Sequence, residues 1–201
     1  MVGIGGLAYS ISFLILLYSG APKAADVLSN VFLIAGGILA SGVFVAIYER
    51  FRPVDPGFAL WAFLLGGIGA LGSAAHGAYD LANIVRKPKG LNADLPNATD
   101  PRRFATFGLA SLAIALVSVL ILRVGLFPRL LAYLGLVGCA LLLVIYWGRM
   151  VIFNPKSPGL LTVALITGFV VNPAWYSWVG LELWGGSRPD PTARVQPPPP
   201  A

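Results

Sequence analysis

The sequence predicts an all-α fold, a polytopic bundle of six transmembrane helices, and its composition and pattern both support this. Hydrophobic residues make up 57% of the 201 residues and charged residues only 11%, whereas soluble domains contain about 25% charged residues. The mean hydropathy is +0.81. Six long apolar stretches with short polar connectors fill nearly the whole chain. Inside lipid each backbone segment must satisfy its own hydrogen bonds, so these stretches are expected to be helices.

Each apolar stretch has the length of a membrane-spanning helix. About 20 apolar residues are needed to cross a hydrocarbon core about 30 Å thick. The predicted spans are residues 1–20, 27–48, 58–85, 104–124, 127–153 and 158–184. Together they form one transmembrane domain, residues 1–185, and leave no room for a separate soluble domain.

The two ends of the chain are interpreted differently. Residues 1–20 carry no Lys or Arg before the apolar core, and Ala21–Ala25 offers no clean small-x-small cleavage site. Because a signal peptide needs both features, we expect a true span there. Residues 186–201 are rich in proline and end in four consecutive prolines, which predicts an extended or disordered tail.

Basic residues indicate an orientation and explain the net charge of +6. Eight Lys and Arg residues lie in or beside the connectors after spans one, three and five, against six on the opposite side, and the densest group lies in residues 86–103. Since basic connectors favour the cytoplasm, we place that connector inside the cell, within an inner membrane, and both termini outside. Most of these side chains flank span ends, where they bind anionic head groups. Membrane lipids are therefore predicted as partners, and nucleic acid is not.

Small residues in span three recur at the spacing of helix contacts. Three of them, Gly66, Ala70 and Ala74, follow each other every four residues, and a second row continues the pattern. Such rows let two helix backbones approach closely in lipid. We predict that span three packs at the bundle centre. The predicted packing residues are Gly66, Gly69, Ala70, Ser73 and Gly77.

Aromatic residues predict the level of the membrane surface. Trp61 opens span three, and Trp175, Trp178 and Trp184 lie towards the end of span six. With alternating topology all four lie on one side of the membrane, so they are predicted to form one interfacial belt.

Polar side chains in span three form the main candidate site. His76, Asp80 and Asn83 are spaced so that they share one helix face, with Tyr79 beside them. Span five ends on the same side with Arg149, so an Asp80–Arg149 pair is geometrically plausible. Intramembrane ionisable residues indicate a binding site or a buried pair. The alternative is that Asp80 and Arg149 lie at the interface and only tie two helices together.

His76 is the only histidine, which limits the cofactors that this chain can hold. A haem with two histidine ligands and a four-ligand His/Cys zinc site are both excluded, because Cys139 is also alone. A chlorophyll-type pigment with His76 as its magnesium ligand remains open, since Gly72 and Gly69 would leave space beside the helix. A proton-transfer role is open as well, because imidazole titrates near neutral pH. No cofactor is otherwise predicted.

A proline interrupts span six. Asn172-Pro173 removes one backbone donor and frees the carbonyl of Phe169, so a kink is predicted. Kinks accompany binding pockets in transporters but are also common in inert bundles. No phosphate-binding loop, catalytic dyad or metal cluster is present in the sequence, which favours a protein that is not an enzyme.

Two segments resemble a known family. Leu122 to Gly135 (LRVGLFPRLLAYLG) resembles a short turn followed by a Pro-Arg entry into a Gly-rich helix, and Tyr48 to Pro56 (YERFRPVDP) is similar to a connector between the second and third spans. Both features are found in small six-span bacterial membrane proteins that form a domain family of unknown function. The resemblance covers about residues 5–184 and implies the six-span fold, without an activity or site residues.

Two hypotheses of function follow. The first is a non-enzymatic structural or accessory subunit that assembles with other integral membrane subunits. The second is a protein that handles a small molecule, a lipid or a proton at His76, Asp80 and Asn83, in a pocket between spans three, five and six; a pigment-binding subunit is a variant of it. The first is favoured by the small-residue rows and by the absence of catalytic motifs.

Overall fold

The described part of the chain is almost entirely helical. The structure, a computed structural model, describes residues 1–18, 23–86, 103–152 and 157–185, and these contain no β-strand. They form six helices: α1 Val2–Tyr18, α2 Lys23–Phe51, α3 Pro56–Val85, α4 Phe104–Val124, α5 Arg129–Ile152 and α6 Pro158–Gly185. The prediction of an all-α helical bundle is confirmed. The predicted Pro-rich tail lies outside the described residues.

Helices α2 to α6 are each long and apolar enough to cross a membrane. Helix α1 is shorter, with 17 residues, and at 1.5 Å per residue it extends about 26 Å. A hydrocarbon core is about 30 Å thick, so α1 falls just below this length. The structure therefore supports a membrane-embedded bundle with five helices of spanning length rather than the six that were predicted.

The outer surface of the bundle is apolar. Large hydrophobic side chains are exposed on all six helices, including Ile11, Ile38, Ile68, Leu112, Val137 and Val170. Soluble monomers rarely expose contiguous apolar surface of this extent. Hydrocarbon tails of lipid would solvate these side chains directly, which agrees with a position in the membrane.

The six helices form a closed ring in chain order. Each helix packs against the next one, and α6 closes the ring by packing against α1. Helices α2 and α3 are antiparallel, and so are α4 and α5, because each pair is joined by a tight turn of four residues, 52–55 and 125–128. We call the end with these two turns the Phe51 end. The opposite end, where α3 ends at Val85 and α4 begins after Arg103, is the Arg103 end.

Glycines bring the backbones of neighbouring helices together. A Cβ atom added to Gly69 would lie 2.8 Å from the backbone nitrogen of Ala110 in α4, and one added to Gly77 would lie 2.8 Å from the carbonyl oxygen of Asn30 in α2. Gly66 contacts the ring of Phe44 in the same way. Only glycine fits at positions 69 and 77 without moving the partner helix, and at position 66 without moving the Phe44 ring, so α3 is held closely between α2 and α4.

The other two predicted packing residues lie on the same helix. Ala70 is buried, and its carbonyl oxygen would lie 2.5 Å from a Cβ added to Gly37 of α2. The Ser73 hydroxyl donates a hydrogen bond to the carbonyl oxygen of Gly69 at 3.1 Å. It therefore satisfies its donor within its own helix.

The two turns at the Phe51 end are tied together. Asp55 caps α3 by accepting a hydrogen bond from the backbone N–H of Phe58 at 3.1 Å, and its other carboxylate oxygen lies 3.4 Å from Nη1 of Arg123 in α4. The Arg123 guanidinium lies over the Phe58 ring, 4.9 Å from its centre. Gly125 ends α4 with a left-handed φ of 73°, which glycine adopts at no steric cost.

Two expectations about packing are wrong. Helix α3 does not lie at the bundle centre, because it is one member of the ring and packs between α2 and α4; α4 and α5 are more buried than α3. Trp175 does not belong to an interfacial belt, since it is 1% exposed and packs in the core. Trp61 and Trp184 are exposed as a belt requires. The prediction used only the distance of Trp175 from the end of span six. Its burial depends instead on the face of α6 that it occupies, and this face points inward.

Candidate functional site

A polar cavity lies inside the ring, between its middle and the Arg103 end. It has a volume of about 290 Å³, and every one of the six helices contributes to its wall. Its polar and ionisable lining residues are Tyr9, Ser10, Ser29, Asn30, His76, Asp80, Arg103, Thr167 and Asn172. Binding pockets for small molecules begin at about 300 Å³ and combine mostly apolar walls with a few polar groups. The cavity therefore has the size and lining of a small ligand site.

His76 and Asp80 form the ionisable pair in the cavity wall. They lie one turn apart on α3, and His76 Nε2 is 3.3 Å from Asp80 Oδ2. The His76 side chain is 12% exposed, whereas that of Asp80 is 39% exposed, so the cavity wall reaches the surface at Asp80. The second ring nitrogen of His76, Nδ1, is buried and has no hydrogen-bond partner among the described residues.

The Asp80 carboxylate determines which hydrogen bonds His76 can make. An ionised carboxylate only accepts hydrogen bonds, so Nε2 must carry the hydrogen in this pair. In the neutral imidazole Nδ1 is then an acceptor, and it is the acceptor that has no described partner. A hydroxyl, an ammonium group or a water molecule in the cavity could donate to it. Protonated imidazole would present a donor instead.

Helices α2 and α4 complete the polar wall. Asn30 Nδ2 and the Ser29 hydroxyl both donate to the carbonyl oxygen of Asp26, at 3.0 Å each. These bonds fix both side chains against α2, which leaves the amide oxygen of Asn30 as an acceptor. Arg103 lines the cavity from the start of α4. The wall thus combines an acid, a guanidinium group and an imidazole.

Two π-helical segments interrupt the regular α-helical hydrogen bonding in the walls of the cavity. One covers Phe104–Leu109 in α4 and the other Thr167–Val171 in α6. In α6 the N–H of Asn172 donates to the carbonyl oxygen of Thr167, five residues earlier. The kink predicted before Pro173 stays a prediction. Phe169 lies within this π-helical segment and lines the cavity. Single π-helical turns occur frequently at functional sites.

The predicted site residues are only partly brought together. His76 and Asp80 line the cavity, whereas Asn83 does not. Tyr79 is 42% exposed and also lies outside the cavity lining. Arg149 belongs to α5, but its side chain is not among the described ones, so the Asp80–Arg149 pair stays a prediction. Whether these residues bind a ligand is likewise still a prediction.

The space predicted for a pigment is occupied. A Cβ atom on Gly69 would approach Ala110, and one on Gly72 would approach Ala105, both in α4. The face of α3 that was expected to leave room for a flat macrocycle therefore packs against a helix. His76 Nε2 is also engaged by Asp80. The residues present do not fit a chlorophyll-type group. Within the described residues no cluster of three His, Cys, Asp or Glu side chains could hold a metal ion.

Several cavity residues escaped sequence reasoning. The predicted pocket involved α3, α5 and α6, and the cavity adds walls from α1, α2 and α4. A signal for these walls exists in the sequence: Tyr9-Ser10 and Ser29-Asn30 are polar pairs within otherwise apolar spans. Arg103 carried no such signal, because a basic residue at a span end is normally an anchor.

No protein-family model matches this chain, and neither a curated protein nor a solved structure matches it. The resemblance to a six-span bacterial family accordingly stays a prediction. The two segments that carry that resemblance meet at the Phe51 end, where Phe51 and Phe127 pack edge to face with ring centres 5.3 Å apart.

Proposed function

We propose that this integral membrane protein binds a small molecule in the cavity between its helices. The observation that carries the proposal is the cavity itself: about 290 Å³ of space between six helices, with mostly apolar walls and the His76–Asp80 pair among its polar lining residues. Polar and ionisable groups are costly inside a membrane, and those that occur there usually face a cavity and take part in function. A bundle that only had to hold its helices together would gain packing contacts by filling this volume with apolar side chains.

The ligand donates a hydrogen bond to His76 Nδ1 in this proposal. A hydroxyl or ammonium group has the required hydrogen, whereas an ionised carboxylate does not. Asp80 and Arg103 bring charges of both signs to the wall. A neutral or zwitterionic head group fits such a wall better than an isolated charge, because either sign alone would meet one repelling partner.

We also propose the orientation of the bundle. The Arg103 end faces the cytoplasm, since Arg86 and Arg103 flank the connector with the densest group of basic residues. We place the protein in an inner membrane, and both termini then lie on the side opposite to the cytoplasm. Helix α1 acts as a sixth, shorter span, which is supported by its packing along α2 and α6 and by its contribution of Tyr9 and Ser10 to the cavity.

Native mass spectrometry of the purified protein tests the binding. The 21.2 kDa chain is extracted in a mild detergent at native expression level, and the intact peak is measured together with an organic extract of the same fraction. We expect a non-covalent adduct of small mass on the wild type, and its loss in His76→Ala and in Asp80→Asn.

Glu182→Gln is the matched control. Glu182 is an acidic residue of α6 that accepts a hydrogen bond from Trp178 Nε1 at 3.0 Å and does not line the cavity. This variant should keep the adduct. A wild type without any adduct, or an adduct that survives in His76→Ala, would contradict the proposal.

The accessory-subunit hypothesis stays a prediction, and the same spectrum tests it. A subunit would leave the membrane as part of a larger mass with other integral membrane proteins, and His76→Ala would not alter that mass. A lone 21.2 kDa species would contradict it. The expectation that the protein is not an enzyme stays a prediction too.

A further inference from the structure

A second cavity adjoins the polar one and extends towards the Phe51 end. It has a volume of about 170 Å³. Six residues line both cavities: Gly6, Tyr9, Leu33, Phe107, Leu142 and Asn172. From there the second cavity continues along α2 as far as Phe44 and along α6 as far as Tyr176. The two cavities thus follow one another along the inside of the ring.

The lining of the second cavity differs from that of the first. None of its described lining residues is Asp, Glu, Lys, Arg or His. Glycines and alanines of α1, α2 and α3 form much of the wall, including Gly36, Gly37 and Ala40. The hydroxyl of Ser73 in this wall is already used within α3. The other polar lining residues, Tyr9, Thr106, Asn172 and Tyr176, lie among mostly apolar walls. Space that such walls leave unfilled costs packing contacts, so an apolar occupant would stabilise the protein.

We infer that the ligand is a short single-chain amphiphile, with a hydroxyl head in the polar cavity and an alkyl tail in the second cavity. This rests on the proposed function and adds the chemical class of the ligand. The head donates its hydrogen to His76 Nδ1. A volume of 170 Å³ equals about six water molecules at roughly 30 Å³ each, and a methylene group occupies a similar volume. The tail therefore has about six carbons.

Gly36 offers a way to fill the second cavity alone. It lines that cavity but not the polar one, and a Cβ atom added to it would meet nothing within 4 Å. Gly36→Leu places an alkyl side chain where the tail would lie. Gly42 lies on the same helix with equally open space around it and lines neither cavity. Gly42→Leu is thus the matched control.

The experiment uses photoreactive primary alcohols on the full-length protein in lipid nanodiscs. The probes carry a diazirine at the chain end and have two, six or ten carbons. The fraction of labelled protein is measured by intact mass, and the labelled residues by peptide sequencing. We expect the six-carbon probe to label residues of the second cavity in the wild type and in Gly42→Leu. Labelling in Gly36→Leu should be roughly tenfold lower, because the leucine side chain takes the space of about two methylene groups of the tail, each of which changes affinity about fourfold.

The outcomes separate this inference from the proposed function. Labelling confined to the polar cavity, independent of chain length and unchanged in Gly36→Leu, would overturn the amphiphile and leave the binding site standing. Labelling of neither cavity above the level of a Gly36→Leu, His76→Ala double variant would overturn both. Gly36→Ala fills less of the space and should give an intermediate loss. Wild-type elution in size exclusion confirms that each variant is folded before it is compared.

Discussion

The two ends of the bundle are built differently. At the Phe51 end large apolar side chains are completely buried, among them Phe51, Leu120, Ile121 and Leu131, each 0% exposed. At the Arg103 end the same ring of helices encloses a polar cavity of about 290 Å³. One half of the molecule is packed like a protein core, whereas the other half keeps space between its helices. The comparison indicates that the Phe51 end holds the ring together so that the Arg103 end can stay open.

This division has a physical basis in lipid. Apolar side chains gain little by moving from hydrocarbon into a protein core, so helix association depends on close packing and polar contacts. The Phe51 end supplies both, through edge-to-face contact of Phe51 with Phe127 and through the Asp55–Arg123 pair. The Arg103 end gives up packing contacts for its cavity. Substitutions at the Phe51 end should therefore lower the free energy of unfolding more than substitutions at the Arg103 end.

Phe51→Ala is expected to have the largest effect on stability. Phe→Ala in soluble cores costs about 3–5 kcal/mol, and because lipid removes much of the transfer contribution we expect about 2–3 kcal/mol in the free energy of unfolding. Reversible unfolding in mixed micelles measures it. Phe107→Ala is the comparison, since Phe107 lines both cavities and should cost less than half as much. Equal losses of stability at the two positions would contradict the proposed difference between the two ends.

Asp55→Ala should follow, with a loss of about 1.5–2 kcal/mol. The substitution removes the N-cap of α3, which typically contributes about 1 kcal/mol, and an ion pair with Arg123 that is partly exposed and contributes less. Asp55→Asn is the matched control, because asparagine still caps the helix. We expect it to lose at most about 0.5 kcal/mol. If Asp55→Asn were as unstable as Asp55→Ala, the stability that Asp55 contributes would come from the ion pair with Arg123 and not from the cap of α3.

Thiol labelling compares the openness of the two ends. In a Cys139→Ala background, Ser29→Cys places a thiol in the wall of the polar cavity, and Ser118→Cys places one in the packed half, where the residue is 0% exposed. A charged thiol reagent should modify the first at least about tenfold faster, because a polar cavity of this size holds water. Mass spectrometry follows the modification with time.

The side of reagent addition gives the orientation in the same experiment. Reagent added from the cytoplasmic face of oriented vesicles should react with Ser29→Cys, and reagent added from the other face should not. Reaction from the outer face alone would reverse the proposed topology. Slow, equal reaction of both thiols would show that the cavity is closed.

The helices could be predicted from the sequence because apolar length depends only on neighbouring residues. Spans two to six agree with α2 to α6, and α1 is the exception, since its 17 residues are borderline for a span. Inner and outer faces were harder to predict. Trp175 lies near the end of an apolar run, where tryptophan usually marks the interface, yet packing against Gly135 on α5 turns it into the core.

The part of the candidate site that lies on a single helix could be predicted from the sequence. His76 and Asp80 are one turn apart on α3, so their pairing follows from helix geometry alone. The cavity around them depends on which faces of five other helices point inward, and the order of helices in a ring is not contained in a local pattern. The packing of α4 onto Gly69 and Gly72 is of the same kind, and it removed the space that the spacing of these glycines had suggested for a pigment.

Asp80→Asn should have the smallest effect on stability, although it lies at the centre of the candidate site. Its side chain is 39% exposed, so the pair with His76 is partly screened, and an exposed pair contributes about 0–1 kcal/mol. Asparagine keeps the size of the side chain, but its NH2 group can donate to Nε2, which places the imidazole hydrogen on Nδ1 and removes the acceptor that the ligand needs. Unfolding in mixed micelles should therefore differ from the wild type by less than about 1 kcal/mol, while the adduct in native mass spectra is lost. A residue that serves ligand binding contributes to the affinity for the ligand and little to the free energy of unfolding. A loss of stability as large as that of Phe51→Ala would therefore mean that the Arg103 end also holds the helices together.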